Sequence, residues 1–152
     1  MIYTEDTKKA LKICYEAHHG QLDKTGMPYV FHPFHLAEQM KDEDSVTVAL
    51  LHDVIEDTCL TLDQLKSMGF NDKVIDALAL LTHDPDTPYE DYIEAIKQNP
   101  IARAVKLADL RHNSDLSRFT PDAPDQNALA RHKKYAKAIR VLRKLPKPRQ
   151  TL

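Results

Sequence analysis

The chain has 152 residues, 42% of them hydrophobic and 29% charged, with 21 basic against 23 acidic side chains and a net charge of −2. That length serves one domain with a core of its own. The near-balanced charge supplies no basic field that would draw the chain to nucleic acid, so an anionic ligand must be met by a local positive site.

No apolar run approaches the ~20 residues that span a bilayer. The start "MIYTEDTKKA" lacks the basic and apolar segments of a signal peptide, so a cytoplasmic chain without a membrane anchor is expected. Cys14 and Cys59 lack CxxC spacing and read as two reduced, buried thiols.

Three glycines and few β-branched runs argue for helices throughout. Thr4 caps a first helix through about His19, with Ala10, Leu11, Cys14 and Ala17 as its buried stripe, and Gly20 ends it. "QLDKTGMPY" is a loop, and Pro33 sits in the first turn of a second helix, "PFHLAEQM". Asp44 or Ser45 caps a third helix carrying "VTVALLHDVI", apolar nearly all round and therefore central and buried. Thr61 and Gln64 form a capping box for a short helix that ends near Gly69. Further helices are expected at about 71–82, 88–98, 100–117 and 122–143, with Pro88 and Pro100 at helix starts. The expectation is an all-α single domain over 1–143, with a flexible basic tail at 144–152.

Polar groups interrupt this apolar pattern in a few places. His52, Asp53, Glu56 and Asp57 place four ionisable groups within six positions of the buried third helix, which is costly unless each finds a partner or a metal. Adjacent helical residues do not face each other, so one ion touching both His52 and Asp53 must lie near a helix end. His32 stands beside Pro33 at a helix start, and Asp109 lies on an otherwise buried helix with Asn113 four residues on, on the same face. Two imidazoles and two carboxylates suit Mn²⁺, Fe²⁺ or Zn²⁺ better than Ca²⁺, and an open coordination position suits hydrolysis. His18, His19, His35, His83 and His132 have no comparable context.

The set His32, His52-Asp53 and Asp109 resembles the H…HD…D pattern of HD-domain phosphohydrolases. "GMPYVFHP", "ALLHDVIEDT" and "VKLADLRHN" resemble, in order, the motifs of the hydrolase domain of the RelA/SpoT family, which removes the 3′-pyrophosphate of guanosine tetra- and pentaphosphate. The resemblance covers about residues 8–118. It implies an HD-domain helical bundle with one Mn²⁺ at His32, His52, Asp53 and Asp109. It also implies that Glu56 and Asp57 position or activate the attacking water, that Asn113 contacts the nucleotide and that Lys24 lines a guanine pocket. With no synthetase-like segment, the chain resembles the small stand-alone hydrolases.

The chain departs from the family where Asp23-Lys24 replaces a basic pair and where Asp115-Leu116 follows Ser114 in place of an Arg-Thr pair. Both acidic residues are expected to oppose a polyanion. Arg103, Lys106, Arg111 and Arg118 are further candidate phosphate contacts. The alternatives are an HD-type 5′-nucleotidase or other small nucleotide phosphohydrolase, a nucleotide-binding regulator without turnover, and a helical scaffold without ligands.

Overall fold

Local capping chemistry delimits most of the elements. In the computed structural model, which describes residues 1–144 and Pro146, α1 (Glu5–His18) opens on a reciprocal capping box between Thr4 and Thr7. Gly20, at φ +80, turns the chain out of it, a conformation that a side chain would strain. The loop that follows is pinched by a single antiparallel bridge between Leu22 and Pro28. α2 (Phe31–Glu38) begins two residues before Pro33, because His32 N–H bonds the Tyr29 carbonyl at 2.9 Å and Phe31 N–H bonds that of Pro28 at 3.2 Å. His32 is therefore inside the first turn of the helix rather than ahead of it.

The helix α3 (Glu43–Leu51) is capped by Asp42, whose carboxylate accepts from Ser45 N at 2.9 Å, not by Asp44 or Ser45. Every residue from Ser45 to Leu51 is buried. The expected continuation through Ile55 is broken: α3 stops at Leu51, and a one-turn helix, α4 (Val54–Asp57), starts after Asp53. His52 Nδ1 bonds the Ala49 carbonyl at 2.7 Å, capturing an acceptor of the last turn where a backbone amide would otherwise bond.

The element α5 (Leu62–Ser67) carries the Thr61–Gln64 capping box and ends before Gly69. α6 (Asp72–Leu81), capped by Asn71, and α7 (Tyr89–Lys97), entered through Pro88, follow. α8 (Pro100–Asn113) stops four residues short of the expected end: Ser114 closes it, and Asp115 caps a 3₁₀ turn at Leu116–Phe119. α9 (Gln126–Arg143) starts later than expected because Asp125, not a residue near 122, supplies the cap. Apart from Lys144 and Pro146, the expected tail lies outside the described residues.

Packing follows from α3 being apolar on all sides. α1, α2, α6 and α8 surround it, and α9 lies across α7 and α8. Arg103 Nε donates to the Leu142 carbonyl at 2.5 Å and ties α8 to the end of α9. Cys14 is buried as expected, its thiol pushed up to about 12 by burial and then by the charge of Asp53, whereas Cys59 is exposed because it follows the α4 turn at the surface. No described helix is long and apolar enough to cross a membrane.

Candidate active site

Three helices converge on one buried cluster. α2 brings His32, the end of α3 brings His52, and α8 brings Asp109; one donor atom from each lies within 4.8 Å of the others. His32 Nε2 is 3.1 Å from Asp109 Oδ1, and His52 Nε2 is 3.9 Å from the same oxygen. Asp53 stands outside this tight trio but next to it, its Oδ2 3.1 Å from His52 Nε2. The break between α3 and α4 is what lets His52 and Asp53, consecutive in the chain, turn toward the same point.

Each of the four has a partner that orients it. Asp109 accepts from Lys106 Nζ at 2.8 Å on Oδ2 and from Asn113 Nδ2 at 2.6 Å on Oδ1. Asp53 accepts from the Tyr29 hydroxyl. His52 Nδ1 faces the Ala49 carbonyl, and His32 Nδ1 faces His112 Nδ1 at 2.6 Å, the two rings stacked at 10°. Such outer partners set ring tautomers and carboxylate orientation at metal sites.

The electrostatics ask for a cation. Burial alone would raise the Asp109 pKa, but the Lys106 charge, the His32 hydrogen bond and the His52 charge hold it well below the usual carboxylate range. Burial would raise Asp53 as well, yet the charge of His52 beside it brings it down to about 2. Burial pulls His52 down, and the charges of Asp53 and Asp109 outweigh this and lift it to about 9. His112 is lowered to about 4 by burial and then by Arg118, His32 and His35, so it is neutral beside His32.

His52 Nε2 is buried and makes no hydrogen bond among the described residues, although Asp53 Oδ2 lies 3.1 Å away. With Nδ1–H given to Ala49, Nε2 is the nitrogen whose lone pair would face the cluster once that site loses its proton. An orphaned imidazole nitrogen, a second imidazole and two ionised carboxylates fit a divalent transition-metal ion, which would take the place of the proton that the anions otherwise hold on His52.

Beside the cluster is a cavity of about 170 Å³ whose walls include His52, Asp53, Glu56, His83, Lys106, Asp109 and Asn113. Glu56 Oε1 is fixed there by the backbone N–H of His83 at 2.7 Å. Asp57 is not part of that wall; it turns toward the loop that follows α1, where its Oδ2 accepts from Gln21 Nε2 at 3.1 Å.

A second cavity, about 260 Å³, shares Asn113 and Tyr135 with the first and is otherwise lined by the 21–29 loop, the 3₁₀ turn and α9, with Lys24 and Arg131 in its wall. Lys24 is pulled down by burial and then by the Arg131 charge, so two cations face one space. Asp23, expected to repel an anion here, is instead paired with Arg118 at 2.6 Å and turned into the loop, accepting from Thr25 and Met27 amides. Asp115 is exposed and spends its carboxylate on Ser117 in capping the 3₁₀ turn.

Asn113 thus both braces Asp109 and faces both cavities. Of the other candidate phosphate contacts, Lys106 is bound to Asp109 and Arg103 to the carbonyls of α9, while Arg118 lines the larger cavity. His83, Tyr135 and Arg131 were not legible as site residues, because nothing in their local sequence shows that α6, α7 and α9 close over the cluster.

No family model matches the chain. It is 32% identical over 134 residues to a probable GTP pyrophosphokinase of Mycobacterium leprae, covering 80% of this chain and 17% of that protein. It is 32% identical over 123 residues to a guanosine-3′,5′-bis(diphosphate) 3′-pyrophosphohydrolase of Aquifex aeolicus, covering 73% of this chain and 18% of that protein. With the human guanosine-3′,5′-bis(diphosphate) 3′-pyrophosphohydrolase MESH1 it shares 31% identity over 129 residues, 77% of this chain and 72% of that protein. The chain thus spans under a fifth of the two long bacterial relatives and most of the short human one. An all-α bundle with its H…HD…D residues on three converging helices, together with this similarity, identifies the chain as a member of the RelA/SpoT-like family of HD-domain hydrolases.

Proposed function

We propose that the chain is a metal-dependent nucleotide phosphohydrolase that cleaves the 3′-pyrophosphate of guanosine-3′,5′-bis(diphosphate), giving GDP and pyrophosphate, in the cytoplasm. The observation that carries this is the convergence of His32, His52 and Asp109 donors within 4.8 Å at the wall of a cavity that also holds Glu56. The family relationship supplies the substrate class.

His32, His52, Asp53 and Asp109 hold the ion, Mn²⁺ by the resemblance, with other divalent transition metals suited to the same donors. A bound divalent ion supplies Lewis acidity at a phosphoryl oxygen and acidifies water. Glu56, braced by the His83 amide, takes the proton of the attacking water or holds that water in line, and Asp57 assists from the α1 side. Asn113 and Lys24 contact the nucleotide in the larger cavity, where Arg131 adds positive charge. Holding water and phosphorus together makes the attack effectively unimolecular. Residues 1–143 form the hydrolase domain.

The pairing of Asp23 with Arg118 removes one of the two acidic residues that favoured a 5′-nucleotidase, while Asp115 keeps its charge at the wall of the larger cavity. A panel of nucleotides with Mn²⁺, scored for pyrophosphate against orthophosphate, decides between the two; release of orthophosphate alone refutes the pyrophosphohydrolase. Asp53→Ala is expected to lose bound metal and activity together, and Glu56→Ala to keep the metal and lose turnover by about 10²-fold or more.

A further inference from the structure

His18, the last residue of α1, is fully buried, yet nothing in the scheme above uses it. Its Nδ1 lies 2.9 Å from Gln21 Oε1, and Gln21 Nε2 lies 3.1 Å from Asp57 Oδ2. Donor and acceptor chemistry sets the direction of every bond in this chain. An ionised carboxylate only accepts, so Gln21 must turn its amide nitrogen to Asp57 and its oxygen to His18. That oxygen only accepts, so His18 carries a proton on Nδ1, while its buried Nε2 has no hydrogen-bond partner among the described residues.

Asp57 is therefore held from two sides. Its backbone N–H donates to the Asp53 carbonyl at 3.0 Å, and its Oδ2 is pinned by Gln21, while Oδ1 takes no protein hydrogen bond among the described residues. Asp57 ends a one-turn helix with its side chain about a third exposed, where an unheld carboxylate samples several rotamers. The His18 ring itself cannot rotate freely, since it packs at 4.7 Å against Tyr29, whose hydroxyl reaches Asp53.

Resting on the role proposed above for Asp57, we propose that His18 and Gln21 are positioning residues, a two-member relay that fixes one Asp57 oxygen and leaves the other without a protein hydrogen bond among the described residues. Neither touches the reacting atoms in this role; both act through Asp57.

The test measures kcat at saturating guanosine-3′,5′-bis(diphosphate) with Mn²⁺. Gln21→Met keeps the side chain's shape without its hydrogen bonds and is expected to lower kcat on the order of tenfold. Added to Asp57→Asn, the same change should cost nothing further, because the carboxylate that the relay serves is gone. His18→Leu should match Gln21→Met in effect. His18→Asn, whose amide nitrogen stands where Nδ1 does, should recover most of the loss. A parental kcat for Gln21→Met, or a loss that adds to that of Asp57→Asn, overturns the relay while leaving the hydrolase assignment intact. A parental kcat for Asp57→Asn overturns it by removing the role on which it rests. Gln21 is partly exposed, so its variant carries the test even where His18→Leu fails to fold. Should the parent turn over no nucleotide, the proposed function fails separately, and nitrogen NMR still reads the relay: a slowly exchanging His18 Nδ1–H that vanishes in Gln21→Met is expected, and its absence in the parent refutes the arrangement.

Discussion

Individual side chains at the site depend on partners from distant parts of the chain. Tyr29 donates to Asp53 across 24 residues of sequence, and removing that hydroxyl leaves the carboxylate without its orienting bond. Tyr29→Phe is expected to weaken Mn²⁺ binding by about 10–100-fold with the fold retained, as calorimetry and circular dichroism would read. Asp23 shows the opposite lesson. Burial would raise its pKa, but the Thr25 side-chain and backbone bonds, the Met27 amide and the Arg118 charge bring the net value down. A carboxyl lowered on folding contributes stability that is present above its unfolded pKa, about 3.9, and is lost as pH falls through the folded value. Asp23→Asn should therefore flatten the fall in melting temperature between neutral and acid pH; an unchanged slope would refute the pairing's contribution. At this scale Lys24 and Asn113 were legible from their motifs as candidates, and both line the cavity of about 260 Å³, whereas the neutralisation of Asp23 was not legible, because Arg118 lies 95 residues away.

Elements obey their caps, and the caps that were missed are those with a competing acidic neighbour. Asp42, Glu43 and Asp44 are consecutive; only Asp42 has the extended backbone, φ −141, that lets its carboxylate reach Ser45 N. Asp42→Ala should cost about 1 kcal/mol in denaturant melts, and Asp44→Ala far less, since Asp44 only accepts from Asn71 at the surface. The Thr61–Gln64 box was legible because nothing nearby competes with it. The end of α3 was not, since the apolar pattern runs on through Val54 and Ile55. What stops the helix is a side chain, His52, bonding the Ala49 carbonyl, and that bond also aims the imidazole. Helix termination and site construction are one event.

On the scale of the whole molecule, α3 is the axis about which the site is assembled. Leu50 is fully buried between α1 and its neighbours, and Leu50→Ala should destabilise by about 2–5 kcal/mol in urea titrations. Because the proposed ligands come from α2, α3 and α8, an ion bound to them stabilises only the folded arrangement. Mn²⁺ at 100 times its dissociation constant should add about 2.7 kcal/mol, seen as a rise in melting temperature that a chelator reverses. Asp109→Ala should abolish that rise; a rise that persists would place the ion elsewhere.

Residue order alone determined the helical class, the buried character of α3, and the donor types offered by His32, His52, Asp53 and Asp109, because periodicity and donor type are local properties that survive without coordinates. Tertiary structure decided which polar groups meet: that Asp23 is neutralised, that His83 braces Glu56, that His18 reaches Asp57 through Gln21, and that α9 closes both cavities. Those pairings depend on how helices cross, and a crossing is set by the packing of whole faces rather than by any short stretch of residues.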